Sequence, residues 1–254
     1  MTLTTLVLFG VAGVLLLFVR RTLRVSNPIL DFKLFRIKVF STSSIALFFM
    51  GAAFLSIIVF LPLFMVQVVG VSATKAGISL IPLSMGIVSG SVIAGQVVSR
   101  FGHYRRQLLG GGLLLMMGVF LLSQMTADVS YLRVMLYMTI CGLGFGPSFP
   151  LYTLAIQNAV ELSHLGQATS ASQFFRQIGG VVGVALMGTV FAVGVAASVQ
   201  VSDPEAVRII FAETISGLYG YTLACVVLAW VATLFVPELP LRKTIATAAR
   251  PVTK

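Results

Sequence analysis

The chain has 254 residues, of which 58% are hydrophobic and only 9% are charged, and its mean hydropathy is +1.04. A water-soluble domain of this length has no interior large enough to bury so much apolar surface, so the composition excludes that class and indicates a membrane protein. The formal net charge of +10 does not indicate nucleic-acid binding, because the basic residues are concentrated in short connections between apolar tracts.

Seven predominantly apolar tracts follow one another along the chain, each with a long stretch free of Asp, Glu, Lys and Arg. A helix that crosses a bilayer needs about 20 such residues, and in lipid its backbone must satisfy its own hydrogen bonds. The sequence therefore predicts an all-α integral membrane protein whose seven transmembrane helices cover residues 1–19, 42–66, 76–97, 107–127, 131–156, 175–198 and 215–236.

The basic residues between these spans fall mainly on one side of the membrane. Fourteen of the seventeen Lys and Arg residues fall in segments 20–39, 100–106 and 157–176 and in the tail from 238, whereas the other side holds only Lys75, Arg133 and Arg208. Because Lys and Arg accumulate on cytoplasmic loops, the pattern predicts an external N-terminus and a cytoplasmic C-terminus.

Residues 20–41 form the predicted cytoplasmic connector between the first two spans. Within it, Asn27 followed by Pro28 is typical of a helix start. Leu30, Leu34 and Ile37 then make an apolar stripe beside charged residues. This pattern predicts a short amphipathic helix on the inner membrane surface.

Glycine pairs four residues apart recur within the spans: Gly86 with Gly90, Gly142 with Gly146, and Gly179 with Gly183. Small residues at this spacing allow two helix backbones to approach closely. The pairs therefore predict a packed helical bundle, with Gly179 and Gly183 at a helix–helix contact.

The third connection, in "GQVVSRFGHYRR", contains Gly95, Arg100, Gly102, Arg105 and Arg106. This pattern resembles the loop signature of the major facilitator superfamily, in which a Gly, an acid, an Arg, a Gly and paired basic residues recur. Ser99 stands where the family usually has the acid, so the resemblance implies a weaker conformational latch here. On the loop alone, positive charge in a tight inner turn is an equally good explanation.

Three further stretches are similar to the fourteen-helix drug:proton antiporters of that superfamily. "NPILDFKLFRIKVF" resembles the segment before their ninth helix. "GLGFGPSFP", with Gly142, Gly146 and Pro147, resembles their twelfth helix. The stretch 168–191 resembles their thirteenth, and its helix-packing motif contains Arg176, Gly179, Gly180 and Gly183.

The resemblance implies that the chain corresponds to the eighth helix onward. Residues 1–19 are then a linker helix, 20–41 the connector, and 42–236 the six-helix C-terminal half of a transporter. That half divides into two inverted three-helix repeats, 42–127 and 131–236. Residues 237–254 form a cytoplasmic tail, and the expected location is a bacterial inner membrane, as a multi-pass protein in the lipid bilayer.

The function implied is a part of a proton-coupled multidrug efflux transporter. No Asp or Glu lies within a predicted span, so the coupling carboxylate is expected in an N-terminal half that this sequence does not include. Pairing with a second copy, as a homodimer, is the other way to complete such a cavity. A truncated, non-transporting membrane protein, or a subunit that associates with another transporter half, is the alternative.

Family analogy assigns the cavity lining to the spans at 42–66, 76–97, 131–156 and 175–198. Aromatic and Met side chains there suit lipophilic or cationic small molecules of variable shape. The candidate substrate contacts are Phe49, Met50, Phe54, Met85, Met138, Phe145 and Gln177. For each of these residues, ordinary packing or lipid contact is the competing explanation.

Enzyme motifs are missing from the sequence: it has no HExxH, no GxSxG and no pair of intramembrane Asp residues. Cys141 and Cys225 both fall inside predicted spans. Buried thiols there behave as small apolar residues, so they do not indicate a disulfide or a metal site. His103 and His164 fall in polar connections. We therefore expect no catalysis, no cofactor, no metal and no nucleic-acid partner.

Overall fold

The computed structural model describes residues 32–196 and 203–240. The predicted first span at 1–19, with Asn27, Pro28 and Leu30 of the connector, lies outside the described residues. So does the tail beyond 240. The described residues are almost entirely helical, and no strand occurs in either range.

Six helices in these ranges are long and apolar enough to cross a membrane. They are α1 (Lys38–Gln67), α2 (Ile81–Phe101), α3 (Tyr104–Ser123), α4 (Tyr131–Ala159), α5 (Leu165–Ala196) and α6 (Pro204–Leu234). A six-residue helix, Ala73–Ile78, precedes α2, and 3-10 helices cover Phe32–Arg36 and Leu162–His164. The all-α membrane fold is thereby confirmed, and six of the seven predicted spans fall wholly or largely within the described residues.

Several helices begin earlier than the sequence predicted. Helix α1 starts at Lys38 instead of 42, α5 at Leu165 instead of 175, and α6 at Pro204 instead of 215. The prediction placed each span boundary near a charged residue. Helical backbone hydrogen bonds, however, continue through polar and charged residues that lie beyond the apolar layer. At α6 the start is set by the Asp203 side chain, which accepts a hydrogen bond from the Glu205 N–H at 3.1 Å.

The longer α6 contains two acidic residues, Glu205 and Glu213, both exposed. The expectation of spans without Asp or Glu therefore holds only for the shorter predicted bounds. Arg208 pairs with Asp128, before α4, at 2.7 Å and with Glu205 at 3.4 Å. These ion pairs join the start of α6 to the α3–α4 connection. They lie at the end of the bundle opposite the α2–α3 connection with Arg100, Arg105 and Arg106, which we call the arginine loop.

The described part of the connector contains a 3-10 helix at Phe32–Arg36, in the segment where the sequence predicted a short amphipathic helix. Leu34 within it is buried, Ile37 after it is half-buried, and Arg36 is exposed. The Ser41 hydroxyl, at the start of α1, donates a hydrogen bond to the Phe35 carbonyl and fixes the entry of the chain into α1.

In chain order the helices form two matching groups, α1–α3 and α4–α6, which pack mainly against each other. Helices α1 and α4 contact each other; α5 and α6 pack on α1, and α2 and α3 pack on α4. Helices α3 and α6 also contact each other, and the Trp230 indole N–H on α6 donates to the Leu109 carbonyl on α3 at 3.1 Å. Exchanging the two groups reproduces the same main contacts.

Candidate functional site

Three phenylalanine rings meet between α1 and α4. The ring centroid of Phe54, on α1, lies 5.3 Å from each of the Phe145 and Phe149 centroids, and these two are 5.8 Å apart. Phe145 and Phe149 share one face of α4 because they are four residues apart. Phe145 is fully buried, whereas Phe54 and Phe149 remain partly accessible. We call these three residues the aromatic cluster.

Helix α5 adds a cation to this cluster. The guanidinium carbon of Arg176 lies 4.8 Å from the centroid of the Phe149 ring, and the side chain is half-buried. This distance is within the range of a cation–π contact. Neither ion pair of the described residues includes Arg176. The partly accessible side of the aromatic cluster thus carries a positive charge that no carboxylate of the described chain neutralises.

Close backbone contact between α1 and α5 places Arg176 at this position. Gly51 of α1 lies against the Arg176 carbonyl, and a Cβ at residue 51 would overlap that oxygen. The same contact includes Gly179, which lies against the Phe48 carbonyl, and Gly183, whose added Cβ would be 2.6 Å from the Ala52 Cβ. Gly180 lies against the Leu55 side chain. The sequence singled out the α5 glycines and missed Gly51, which has no glycine partner four residues away.

The other glycine motif lies between α2 and α4. A Cβ at Gly142 would overlap the Leu83 carbonyl, and one at Gly146 would be 2.6 Å from the Ser91 nitrogen. Pro147, next to Gly146, contacts Gly111 of α3 through its ring. Helix α4 is therefore in close contact with α2 and α3 on two of its faces.

The predicted substrate contacts do not form one group. Phe54 and Phe145 belong to the aromatic cluster, whereas Met50 and Met138 are buried at 1% and 0% exposure and are closed to a ligand in this conformation. Met85 on α2 and Gln177 on α5 are both exposed. Phe49 is about 140° from Phe54 around α1 and lines a separate cleft with Phe48. Phe149 was not predicted, although its spacing of four from Phe145 was available in the sequence.

The arginine loop is tied to the end of α6. Gly102 ends α2 with a φ of 74°, a value that favours glycine. Arg105 donates a hydrogen bond to the Leu234 carbonyl near the α6 C-terminus, where a cation is favourable. Gly95, Arg100 and Arg106 are exposed, and no atom lies within 4 Å of a Cβ added at Gly95.

Tyr104, which no sequence pattern singled out, also binds the chain beyond the α6 C-terminus. It is fully buried; its hydroxyl donates to the Pro237 carbonyl at 2.8 Å and accepts from the Leu239 N–H at 2.9 Å. The Asn158 side chain donates to the Pro240 carbonyl at 3.0 Å. Residues 237–240, which the sequence assigned to the tail, are therefore bound across the ends of α3 and α4.

Metal ligation has no candidate in the two described ranges, where no three His, Cys, Asp or Glu side chains are grouped closely enough to hold an ion. The aromatic cluster with Arg176 is instead suited to a small, largely apolar ligand. Rings supply dispersion contact, and the guanidinium can orient one polar or negatively charged group.

Comparison with known proteins gives matches over most of the chain. A family model described as Major Facilitator Superfamily matches residues 1–184. Multidrug transporter protein MdtP of Bacillus subtilis (strain 168) is 37% identical over 167 residues, which are 66% of this chain and 31% of that protein. Multidrug resistance protein 3 of the same strain is 34% identical over 184 residues, which are 72% of this chain and 35% of that protein. The matched part of this chain thus spans about a third of each of these relatives.

Proposed function

The chain belongs to the Major Facilitator Superfamily, and from this membership we propose that it forms part of an efflux transporter for lipophilic small molecules. The observation that carries the proposal is the likeness to a multidrug transporter and a multidrug resistance protein. The family match over residues 1–184 includes the whole aromatic cluster and Arg176. The cluster would then be one wall of the substrate pathway.

We further propose that the chain corresponds to the C-terminal half of a fourteen-helix drug:proton antiporter, with residues 1–19 as a linker helix and 237–254 as a tail. The matching contacts of α1–α3 and α4–α6 support two repeats, 42–127 and 131–236. Because each repeat has three spans, an odd number, the two would have opposite orientations in the membrane.

A bacterial inner-membrane location with a cytoplasmic C-terminus completes this proposal. In the described residues, Arg36, Lys38, Arg100, Arg105 and Arg106 all lie at the end of the bundle where α1 begins and α2 ends. Positive charge at one end favours the cytoplasmic side. A reporter fused after Arg106 or Lys254 is expected to be cytoplasmic, and one inserted near Asp203 external. An external reporter at Arg106 would contradict the orientation.

Proton coupling needs a carboxylate that faces the substrate pathway. The acidic residues of the described chain are all exposed, and all but Glu213 lie in the connections or within the first turn of a helix. We propose that the coupling carboxylate belongs to a second transporter half, different in sequence from this chain, that packs against the aromatic cluster. A second copy of this chain, as a homodimer, could complete the cavity wall but would supply no acidic residue beyond those in this sequence.

The positive charge of Arg176 affects whether the site favours cationic, neutral or anionic substrates. The sequence alone favoured lipophilic or cationic molecules, but the face of Phe149 already holds a guanidinium. A second cation about 7 Å away would be repelled by about 2 kcal/mol at an effective dielectric constant of about 20. This half of the pathway should therefore favour neutral or anionic lipophilic groups.

The test uses tetraphenylborate and tetraphenylphosphonium, which have nearly the same shape and opposite charge. In detergent, an Arg176→Gln substitution is expected to weaken tetraphenylborate binding relative to tetraphenylphosphonium by about tenfold, because it removes the cation that lies over the Phe149 ring. Arg100→Gln, at an exposed position, is the matched control and should leave the ratio unchanged. Comparing each variant with the wild type cancels the different partition of the two ions into detergent.

The same chain in liposomes is expected to bind these ions without extruding a lipophilic dye when a pH gradient is imposed, because alternating access moves two halves about a shared site. Gradient-driven extrusion by residues 1–254 alone would contradict the need for a different second half and would favour a homodimer. Binding of neither ion above the level of a Phe54→Leu variant would favour the non-transporting alternative.

A further inference from the structure

A cleft lies on the opposite side of α1 from the aromatic cluster. It has a volume of about 410 Å³ and is formed by the 3-10 helix at Phe32–Arg36, the first three turns of α1, and α5. This volume is within the range of about 300–1,000 Å³ found for small-molecule sites. Its lining includes Phe35, Ser44, Ile45, Phe48, Phe49 and Phe175. We call it the α1–α5 cleft.

The direction in which this cleft opens follows from helix geometry. Ile45 and Phe54 are nine residues apart, which is about 180° around an α-helix. Ile45 is 51% exposed although it lies within a membrane-spanning helix. The cleft therefore opens away from the aromatic cluster and is separate from the proposed substrate pathway.

The lining is apolar except at its serines. Four phenylalanine rings surround the space, and Phe35 contacts Phe175 edge-to-face at 5.6 Å between centroids. Such a surface matches a hydrocarbon chain. Ser44 is 2% exposed, and its hydroxyl has no hydrogen-bond partner in the described structure. A buried hydroxyl without a hydrogen-bond partner is costly, and a ligand with a carbonyl group beside its apolar chain could accept a hydrogen bond from it.

The charges next to the cleft specify the rest of such a ligand. Arg36 directly follows Phe35, and Lys38 begins α1; both are exposed. No acidic residue occurs between 32 and 127. At this end of the described bundle the acidic side chains are Glu161 and Glu238, fewer than the basic ones. Basic residues at a membrane surface attract anionic headgroups.

We propose that the α1–α5 cleft binds an acyl chain of an anionic phospholipid, with the headgroup against Arg36 and Lys38 and an ester carbonyl bonded to the Ser44 hydroxyl. The acyl chain would cover the half-buried phenylalanine rings, and the ester would supply the hydrogen-bond partner that Ser44 lacks. The proposal does not depend on the transport function, because the site lies on the other face of α1.

The test is native mass spectrometry of the full chain in detergent, titrated with phosphatidylglycerol or phosphatidylcholine. The wild type is expected to retain one phosphatidylglycerol molecule and to bind it about tenfold more tightly than phosphatidylcholine. An Ile45→Trp variant, which fills the cleft from an exposed position, should weaken phosphatidylglycerol binding at least tenfold. Val59→Trp is the matched control, since Val59 is 46% exposed on nearly the same face of α1, about four turns further on.

A double Arg36→Gln, Lys38→Gln variant should lose the preference for phosphatidylglycerol while it still retains a lipid. Equal retention by the Ile45→Trp and Val59→Trp variants would overturn the site. Equal affinity of the wild type for the two lipids would overturn the anionic headgroup. If the wild type retained no lipid but a variant lacking residues 1–31 retained one, the cleft would be covered by the chain's own N-terminal segment, which also overturns the proposal.

Discussion

A Gly179→Leu variant is expected to lose about 3 kcal/mol of stability, because the new side chain would force α5 away from α1. A Cβ at this position would overlap the Phe48 carbonyl oxygen, and backbone cannot move aside as a flexible side chain can. The thermal midpoint in detergent should fall by about 10 °C. The measurement is the reaction of a thiol-reactive dye with Cys141, which is fully buried until the bundle unfolds, in a Cys225→Ala background.

Gly188→Leu is the matched control for this variant. Gly188 lies on the same helix, and no atom is within 4 Å of a Cβ added there. Leucine has a higher helix propensity than glycine, by roughly 1 kcal/mol, so the control midpoint should stay the same or rise. If both variants unfold at the wild-type temperature, the Gly179 face does not contact α1 in the detergent-solubilised protein.

A Gly86→Leu variant is expected to lose a similar amount of stability, because Gly86 lies in the α2–α4 contact, which corresponds to the α1–α5 contact of Gly179. A Cβ at Gly86 would be 2.7 Å from the Thr139 carbonyl oxygen and 2.9 Å from the Gly142 Cα, so α2 would be pushed off α4. The spacing of small residues is what allows this approach. The same thiol assay applies, and a lower midpoint should be accompanied by a lower yield of monodisperse protein.

The control on α2 is Gly95→Leu, at an exposed position with no atom within 4 Å of the added Cβ. Gly95 belongs to the loop pattern, so a wild-type midpoint would show that this glycine is not needed for helix packing. A large fall for Gly95→Leu together with none for Gly86→Leu would contradict the α2–α4 contact. Similar falls for Gly179→Leu and Gly86→Leu would support the division into two matching three-helix groups.

Hydropathy was sufficient to identify the spans, because bilayer thickness sets their length and the backbone in lipid has no partner other than itself. Each of the six spans predicted after the first coincides with helix over most of its length, although the predicted 107–127 and 215–236 run past the helix ends at Ser123 and Leu234. Their ends were less predictable. Helix α6 begins with Asp203 as its N-cap and Pro204 as its first residue. Helix α5 begins in a polar segment, which a prediction based on charges places in a loop.

The assignment of side chains to the site was less successful, for a physical reason. These helices are apolar around most of their circumference, so no stripe in the sequence shows which face meets another helix and which meets lipid or a ligand. Met50 and Phe54 are one turn apart on α1, yet Met50 is closed in the core and Phe54 is partly accessible. Phe49 faces a different cleft altogether.

The sequence by itself determined that this is a membrane protein, that its fold is all-α, and which small residues allow helices to approach closely. Those properties depend on composition and local spacing, which the sequence contains directly. Only the tertiary structure decided which helix each glycine meets, that Arg176 lies over Phe149, and that Tyr104 holds residues 237–239. Each of these contacts joins residues on different helices, and their relative rotation and depth are fixed by the packing of the whole bundle.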